Sequence, residues 1–219
     1  MLADVSTQVN PPGKFIVIYG SNNLGKSTQT GLLEARLIKE FSNRRILRIK
    51  FARYDLEPTG PLLNAILREG KTIRDSNTGA ERPYSDLEMQ TIFAQNRRDY
   101  QATLDSDLAM GTVVVAEDYT GTGIAWGLTR GLSLEILEKI NANLRLPDLA
   151  IMLDADKRFA SGIEQGHRHE SAGEELWLKN RDIHHQLAGL YNWRIIRADQ
   201  PVDAVHEQIW AQVNKLIRN

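Results

Sequence analysis

Five short apolar runs punctuate the chain: KFIVIY at 14–19, RRILRIKF at 44–51, TVVVAE at 112–117, LAIMLDA at 149–155 and WRIIRA at 193–198. Their length suits strands, and TVVVAE is apolar nearly throughout, as a strand covered on both faces is. The stretches between them read as helices. STQTGLLEARLIKEF sets Leu32, Leu33, Leu37 and Phe41 along one side at helical spacing. A short helix is predicted near LLNAILREG. A long one starts at Ser85, where Ser85 and Glu88 form an S-x-x-E capping box, and runs to about Met110, with Gly111 as its stop. Further helices are predicted over 133–144, 174–191 and 202–217. The polar residues 71–84 read as a surface loop, and the glycine-rich DYTGTGIAWG at 118–127 as a loop leading to the helix at 133–144.

Strands alternating with helices predict an α/β fold of three layers: a five-stranded parallel sheet with helices on both faces. Residues 1–13, ending in Pro11-Pro12-Gly13, read as a flexible tail, and 14–219 as one domain with a short lid at about 155–171. In such sheets ligands bind beyond the carboxyl ends of the strands. Function is therefore expected in the loops at 20–28, 53–61, 117–127, 155–170 and 198–201.

Composition narrows the classes. With 219 residues, 42% hydrophobic and 25% charged, the chain can bury a core of ordinary size. A net charge of −1 gives no global attraction to nucleic acid or to an anionic membrane. No apolar run approaches a membrane span, and the start lacks the basic and apolar regions of a signal peptide. The absence of cysteine excludes disulfides and thiolate metal sites and fits the cytoplasm.

The sharpest chemical signal is GSNNLGKST, which fits G-x-x-x-x-G-K-[ST] between a strand and a helix. Gly20 and Gly25 allow sharp turns, so that the backbone N–H groups of Ser21, Asn22, Asn23, Leu24 and their neighbours can point at anionic oxygens. Lys26 can reach outer phosphates, the Ser27 hydroxyl can ligate magnesium, and Thr28 completes the helix start. Magnesium also needs a carboxylate at a neighbouring strand end. Glu117 and Asp118 stand at one such end, and Asp154 at the next is a weaker candidate.

Other positions are open from spacing alone. Phe93 and Arg97 are i, i+4 neighbours that could stack on a base and bond its edge, although a core phenylalanine and a solvated arginine are the commoner outcome. Arg53 and Glu57 flank RYDLEP, where an arginine could hold a phosphate or make a surface ion pair. The segment from Lys157 to Glu170 carries Arg158, His167, Arg168 and His169, and suits a lid or a solvated loop equally. His167 and His169 lack a third ligand nearby and do not make a metal site. The four tryptophans read as packing residues.

In order, FIVIYGSNNLGKSTQ, RYDLEPTGPLLNAILR, FAQNR, EDYTGTGIAWG, LPDLAIMLDAD and a segment ending HRHE resemble the thymidylate kinase family of P-loop nucleoside-monophosphate kinases. The resemblance spans about 14–217. It implies transfer of the ATP γ-phosphoryl group to dTMP with Mg2+ as cofactor, a small-molecule nucleotide as partner, and a homodimer. It further implies Phe93 on thymine, Arg97 on the base edge, Arg53 on the acceptor phosphate, Tyr119 near the sugar, Arg168 in the lid, and Ala198 and Asp199 near adenine. Three departures touch phosphate handling. Asn22 stands where the family has Asp, and Glu117-Asp118 where it has Asp-Arg. Ile163 falls near the usual lid arginine, which leaves Arg158 or Arg168 to supply that charge. Tyr19 also replaces a Glu, at a position less tied to the chemistry. A carboxylate at 118 facing a phosphate 4 Å away would oppose it by roughly 4 kcal/mol at an effective dielectric near 20. Two further readings therefore stand beside the kinase. One is a deoxynucleoside kinase, whose acceptor carries no phosphate and for which Glu57 could act as base. The other is a non-catalytic nucleotide-binding protein.

Overall fold

A computed structural model describes residues 12–159 and 173–218. Strands β1 (Lys14–Tyr19), β2 (Ile46–Lys50), the hairpin pair β3 (Thr72–Arg74) and β4 (Glu81–Pro83), β5 (Val113–Glu117), β6 (Leu149–Asp154) and β7 (Arg194–Arg197) alternate with helices. The helices are α1 (Lys26–Glu40), α2 (Thr59–Arg68), α3 (Asp86–Ala109), α4 (Thr120–Thr129), α5 (Leu134–Ile140), α6 (Glu174–Leu190) and α7 (Val202–Arg218). The main sheet has the order β2-β5-β1-β6-β7 and every pairing in it is parallel. This is the predicted fold class.

Strand periodicity builds the two helix layers. Side chains alternate across a pleated strand, so β1 sends Ile16 and Ile18 to one face and Phe15, Val17 and Tyr19 to the other, all buried. The first face joins Leu33 and Leu37 of α1 and Ile209 and Val213 of α7. The second joins Tyr100, Leu104 and Leu108 of α3. The capping box at the start of α3 is present: the Ser85 hydroxyl accepts from the Glu88 N–H, and the Glu88 carboxylate accepts from the Ser85 N–H at 2.8 Å.

Three expectations are corrected. Residues 71–84 hold the antiparallel hairpin rather than a loop. Its strands of three residues are too short to show an alternation. The turn between them is held by Asp75, whose carboxylate accepts from the N–H groups of Asn77 and Thr78 at 2.9 Å. Arg82 then ties the hairpin to Glu88 at 2.8 Å through both of its terminal nitrogens. The glycine-rich stretch after Asp118 is the helix α4. Its glycines serve close packing: a Cβ on Gly121 would meet the Trp193 ring at 2.5 Å, and one on Gly127 would meet Leu137 at 2.4 Å. Gly13, read as the end of the tail, is pinned instead, its N–H donating to the Leu108 carbonyl at 3.1 Å. Among the described residues no helix is long and apolar enough to cross a membrane.

Candidate active site

Residues 20–25 leave the carboxyl end of β1 and turn into α1 through backbone that only certain residues tolerate. Gly20 (φ 135°), Asn23 (φ 61°) and Gly25 (φ 79°) all have positive φ. At Gly20 the constraint is also steric, since a Cβ there would lie 2.5 Å from the Leu153 carbonyl. The turn aims the free N–H groups at the start of α1 into an open cavity of about 530 Å³. Lys26 is buried and its ammonium donates to the Gly20 and Ser21 carbonyls at 2.8 and 3.0 Å. It is thus folded back over the loop it serves. Side chains behind the loop lock it. The Ser21 hydroxyl donates to Asn180 Oδ1 at 3.0 Å, and Trp177 Nε1 donates to the Asn22 carbonyl at 2.9 Å. Asn180 Nδ2 donates to Thr129 Oγ1 at 2.9 Å, and the Asn180 carbonyl accepts from His184 Nδ1 at 2.8 Å. Burial holds His184 down at about 4, so it is neutral.

Ser27 and Glu117 come together as the sequence suggests: the Ser27 hydroxyl donates to Glu117 Oε1 at 2.8 Å. Lys50, the last residue of β2, reaches the same oxygen at 3.0 Å. Burial lowers the Lys50 pKa but the Glu117 carboxylate outweighs it, so the group stays firmly charged. A hydroxyl beside one carboxylate is an oxygen donor set suited to a hard divalent cation that keeps most of its ligands from water and phosphate. Among the described residues no group of three or more His, Cys, Asp or Glu could hold a metal by itself. Asp154 is excluded from that role by its partners. Arg181 donates to it from two nitrogens at 2.7 and 3.0 Å, His185 Nε2 sits at 3.0 Å and Arg197 at 3.1 Å.

A second cavity, of about 140 Å³, opens beside the first. Phe93, Arg97, Asp118 and Tyr119 line it, together with Gln90, Trp126 and Arg68. Arg97 is not the solvated arginine that spacing favoured. It is 5% exposed, and its Nη1 donates to Asn141 Oδ1 at 3.0 Å. Burial pulls it down to about 10, which leaves it cationic at neutral pH. Its Nε and the neighbouring Gln90 Oε1 are buried without a hydrogen-bond partner. So is the Tyr119 hydroxyl, whose pKa burial raises. Buried polar atoms of this kind are normally satisfied, and here they face a cavity that a polar planar ligand could fill. Gly123 makes the approach possible, for a Cβ on it would stand 2.6 Å from Arg97 Nη2.

Asp118 lies at the junction of the two cavities, with φ 61°. Its Oδ1 accepts from the Thr122 hydroxyl at 2.8 Å and lies 3.7 Å from Lys26 Nζ. Burial raises its pKa, while Lys26 works against the rise. Arg53 and Glu57 are not among the side chains lining either cavity. Arg53 makes the ion pair that was its alternative reading, with Asp55 at 2.9 and 2.7 Å, and stacks on the Tyr100 ring. Ala198 lines the first cavity together with Gln200, whereas Asp199 turns to Arg197. Tyr19 stacks on Trp193 at 4.3 Å, and burial pushes its hydroxyl up to about 12. Arg168, His167, His169 and Ile163 lie outside the described residues. Sequence reasoning missed Lys50, Gln90, Thr122 and Asn141. Lys50 alone had a usable signal, as a cation at the carboxyl end of a strand.

The thymidylate kinase family model matches residues 18–209. The chain is 28% identical over 206 residues to the thymidylate kinase of Homo sapiens, covering 90% of this chain and 88% of that protein. It is 29% identical over 205 residues to a probable thymidylate kinase of Pyrococcus abyssi, covering 92% and 96%. The solved structure of thymidylate kinase from Candida albicans superposes with a TM-score of 0.75 at 23% identity, covering 94% of this chain and 93% of that one, which establishes the shared fold. Since the matched residues span most of the chain and include the phosphate loop, the chain belongs to the thymidylate kinase family.

Proposed function

We propose that the protein transfers the γ-phosphoryl group of ATP to dTMP, giving dTDP and ADP. The observation that carries this reading is the second cavity: a buried cationic Arg97 with an unpartnered Nε at one end, and an opening to the phosphate loop at the other. A pyrimidine oxygen can accept from Arg97 while Phe93 covers the ring. Tyr119, fully buried beneath the cavity floor against Phe15 and Phe51, closes the space beside the sugar. The loop N–H groups hold the donor phosphates without having to reorganise as charge moves outward, and Lys26 joins them by turning its ammonium from the Gly20 and Ser21 carbonyls toward the phosphates. Ser27 and Glu117 would hold Mg2+, which supplies charge neutralisation across the donor phosphates when bound. Ala198 and Gln200 border the donor cavity where the adenosine end would lie. Arg168 remains the proposed lid cation. The family resemblance also leads us to propose a homodimer, which sedimentation would check.

The test is to incubate the protein with ATP and Mg2+ and offer dTMP, dUMP, dCMP and thymidine in parallel. Preferential dTDP formation is expected. Product from thymidine alone would establish instead the nucleoside kinase that the Asp118 carboxylate favours. ATP binding with no product from any acceptor would establish a non-catalytic nucleotide-binding protein.

A further inference from the structure

Moving a phosphoryl group between two phosphates brings several negative charges together, and positive charge is needed where they meet. Among the described residues, Asn22, Lys50 and Asp118 line both the donor and the acceptor cavity. Lys50 is the cation of the three. Among the described residues, the other basic groups nearby do not line both cavities. Lys26 lines the donor cavity and caps the Gly20 and Ser21 carbonyls. Arg97 is anchored to Asn141 at the far end of the acceptor cavity. Arg53 is paired with Asp55 off the cavity wall. Arg68 lines the acceptor cavity over the Tyr54 ring but not the donor cavity.

Lys50 also has the freedom that the role requires. Its side chain is 58% exposed, and its ammonium rests on Glu117 Oε1 at 3.0 Å, an oxygen already engaged by Ser27. A lysine on a four-carbon stem can pivot from that contact toward an incoming phosphate. Asp118 stands on the same junction with the opposite sign.

We propose that Lys50 holds the 5′-phosphate of the acceptor at the point of transfer, and that Asp118 opposes it and so limits how tightly that phosphate binds. This rests on the reading of the second cavity as the acceptor site.

The test compares the dissociation constants of dTMP and thymidine by titration calorimetry, because their ratio isolates the phosphate from the base and sugar. Lys50→Met is expected to cut the thymidine-to-dTMP Kd ratio by about tenfold, the weight of one charge-assisted hydrogen bond. Lys50→Arg is expected to restore most of it, and Asp118→Asn to raise it above wild type. A merely structural role for Lys50 would weaken both ligands alike and leave the ratio in place, which overturns the proposal. Loss of the ratio in Arg68→Met with no loss in Lys50→Met overturns it too. Should Lys50→Met not fold, Lys50→Gln takes its place, and a ratio lowered by Asp118→Asn is decisive against the proposal in either background. A wild-type protein that binds thymidine but not dTMP overturns both this proposal and the assigned reaction. A wild type that forms dTDP with a ratio indifferent to Lys50 overturns this proposal alone.

Discussion

The donor and acceptor halves of the site share a wall but are built in different ways. Residues 20–28 make the phosphate end of the donor half, and they do so with backbone: positive φ at Gly20, Asn23 and Gly25, and the free N–H groups at the start of α1. The acceptor half is made of side chains from β2, α2, α3 and α4. Its key cation, Arg97, is aimed by Asn141 from beyond α5 and given room by Gly123. A site made of backbone tolerates the exchange of side chains that do not shape it, which is how Asn22 can replace an aspartate without altering the turn. A site made of side chains drawn from several elements shifts with each of them. The departures that alter charge at the acceptor, Asp118 above all, therefore carry more weight than Asn22.

Removing the phosphate-loop lysine is expected to have the largest effect. Lys26→Ala should lower kcat/KM by on the order of a thousandfold, about 4 kcal/mol, since the loop's positive charge on the donor phosphates is lost. Steady-state kinetics with ATP and dTMP would measure it, and activity close to wild type would mean that the loop N–H groups suffice. The support behind the loop comes next. His184 is neutral in the fold, with its pKa at about 4 against 6.5 unperturbed. The unfolded chain binds the extra proton first, so the His184 contribution is complete above about pH 6.5 and is lost as the pH falls toward 4. It amounts to about 3 kcal/mol. Urea unfolding at pH 7 and pH 4 should therefore show a steeper loss for the wild type than for His184→Asn; equal losses would show that His184 does not set the acid sensitivity.

On the acceptor side, Arg97→Met should raise KM for dTMP by about tenfold to a hundredfold, the cost of a charged hydrogen bond to the base, with KM for ATP little changed. A comparable rise for ATP would break the division into two halves. The smallest expected effect is the most specific. Gly123→Ala places a methyl 2.6 Å from Arg97 Nη2. The guanidinium must yield by a few tenths of an ångström or more, and about a tenfold loss in dTMP affinity should follow, with the melting temperature lowered only slightly. Unchanged dTMP affinity would show that Arg97 is not aimed by this contact.

Much of this architecture was legible from local chemistry. Apolar runs of strand length, the helical spacing of Leu33 and Leu37, the Ser85–Glu88 box and the strand–loop–helix around Lys26 are each properties of contiguous residues, and each is present. The local rules misled where one residue type serves two purposes. Glycines at 121, 123 and 127 read as a loop because glycine is permissive about φ, yet in α4 they lie where Trp193, Arg97 and Leu137 press against the helix. The same limit applied to Arg97, whose spacing could not separate a solvated cation from a buried one.

The chain's own order of residues determined the parallel sheet, the place of the phosphate loop and the pairing of Ser27 with a carboxylate at the end of the neighbouring strand. These depend on patterns a few residues long, and on the rule that parallel strands deliver their ends to one edge. Only the tertiary structure decided which cations face the acceptor. Arg53 and Lys50 lie within a few residues of each other, yet one is drawn off to Asp55 and the other stands where the two cavities meet. That outcome depends on charges and rings that other parts of the chain bring alongside, and no local pattern records it.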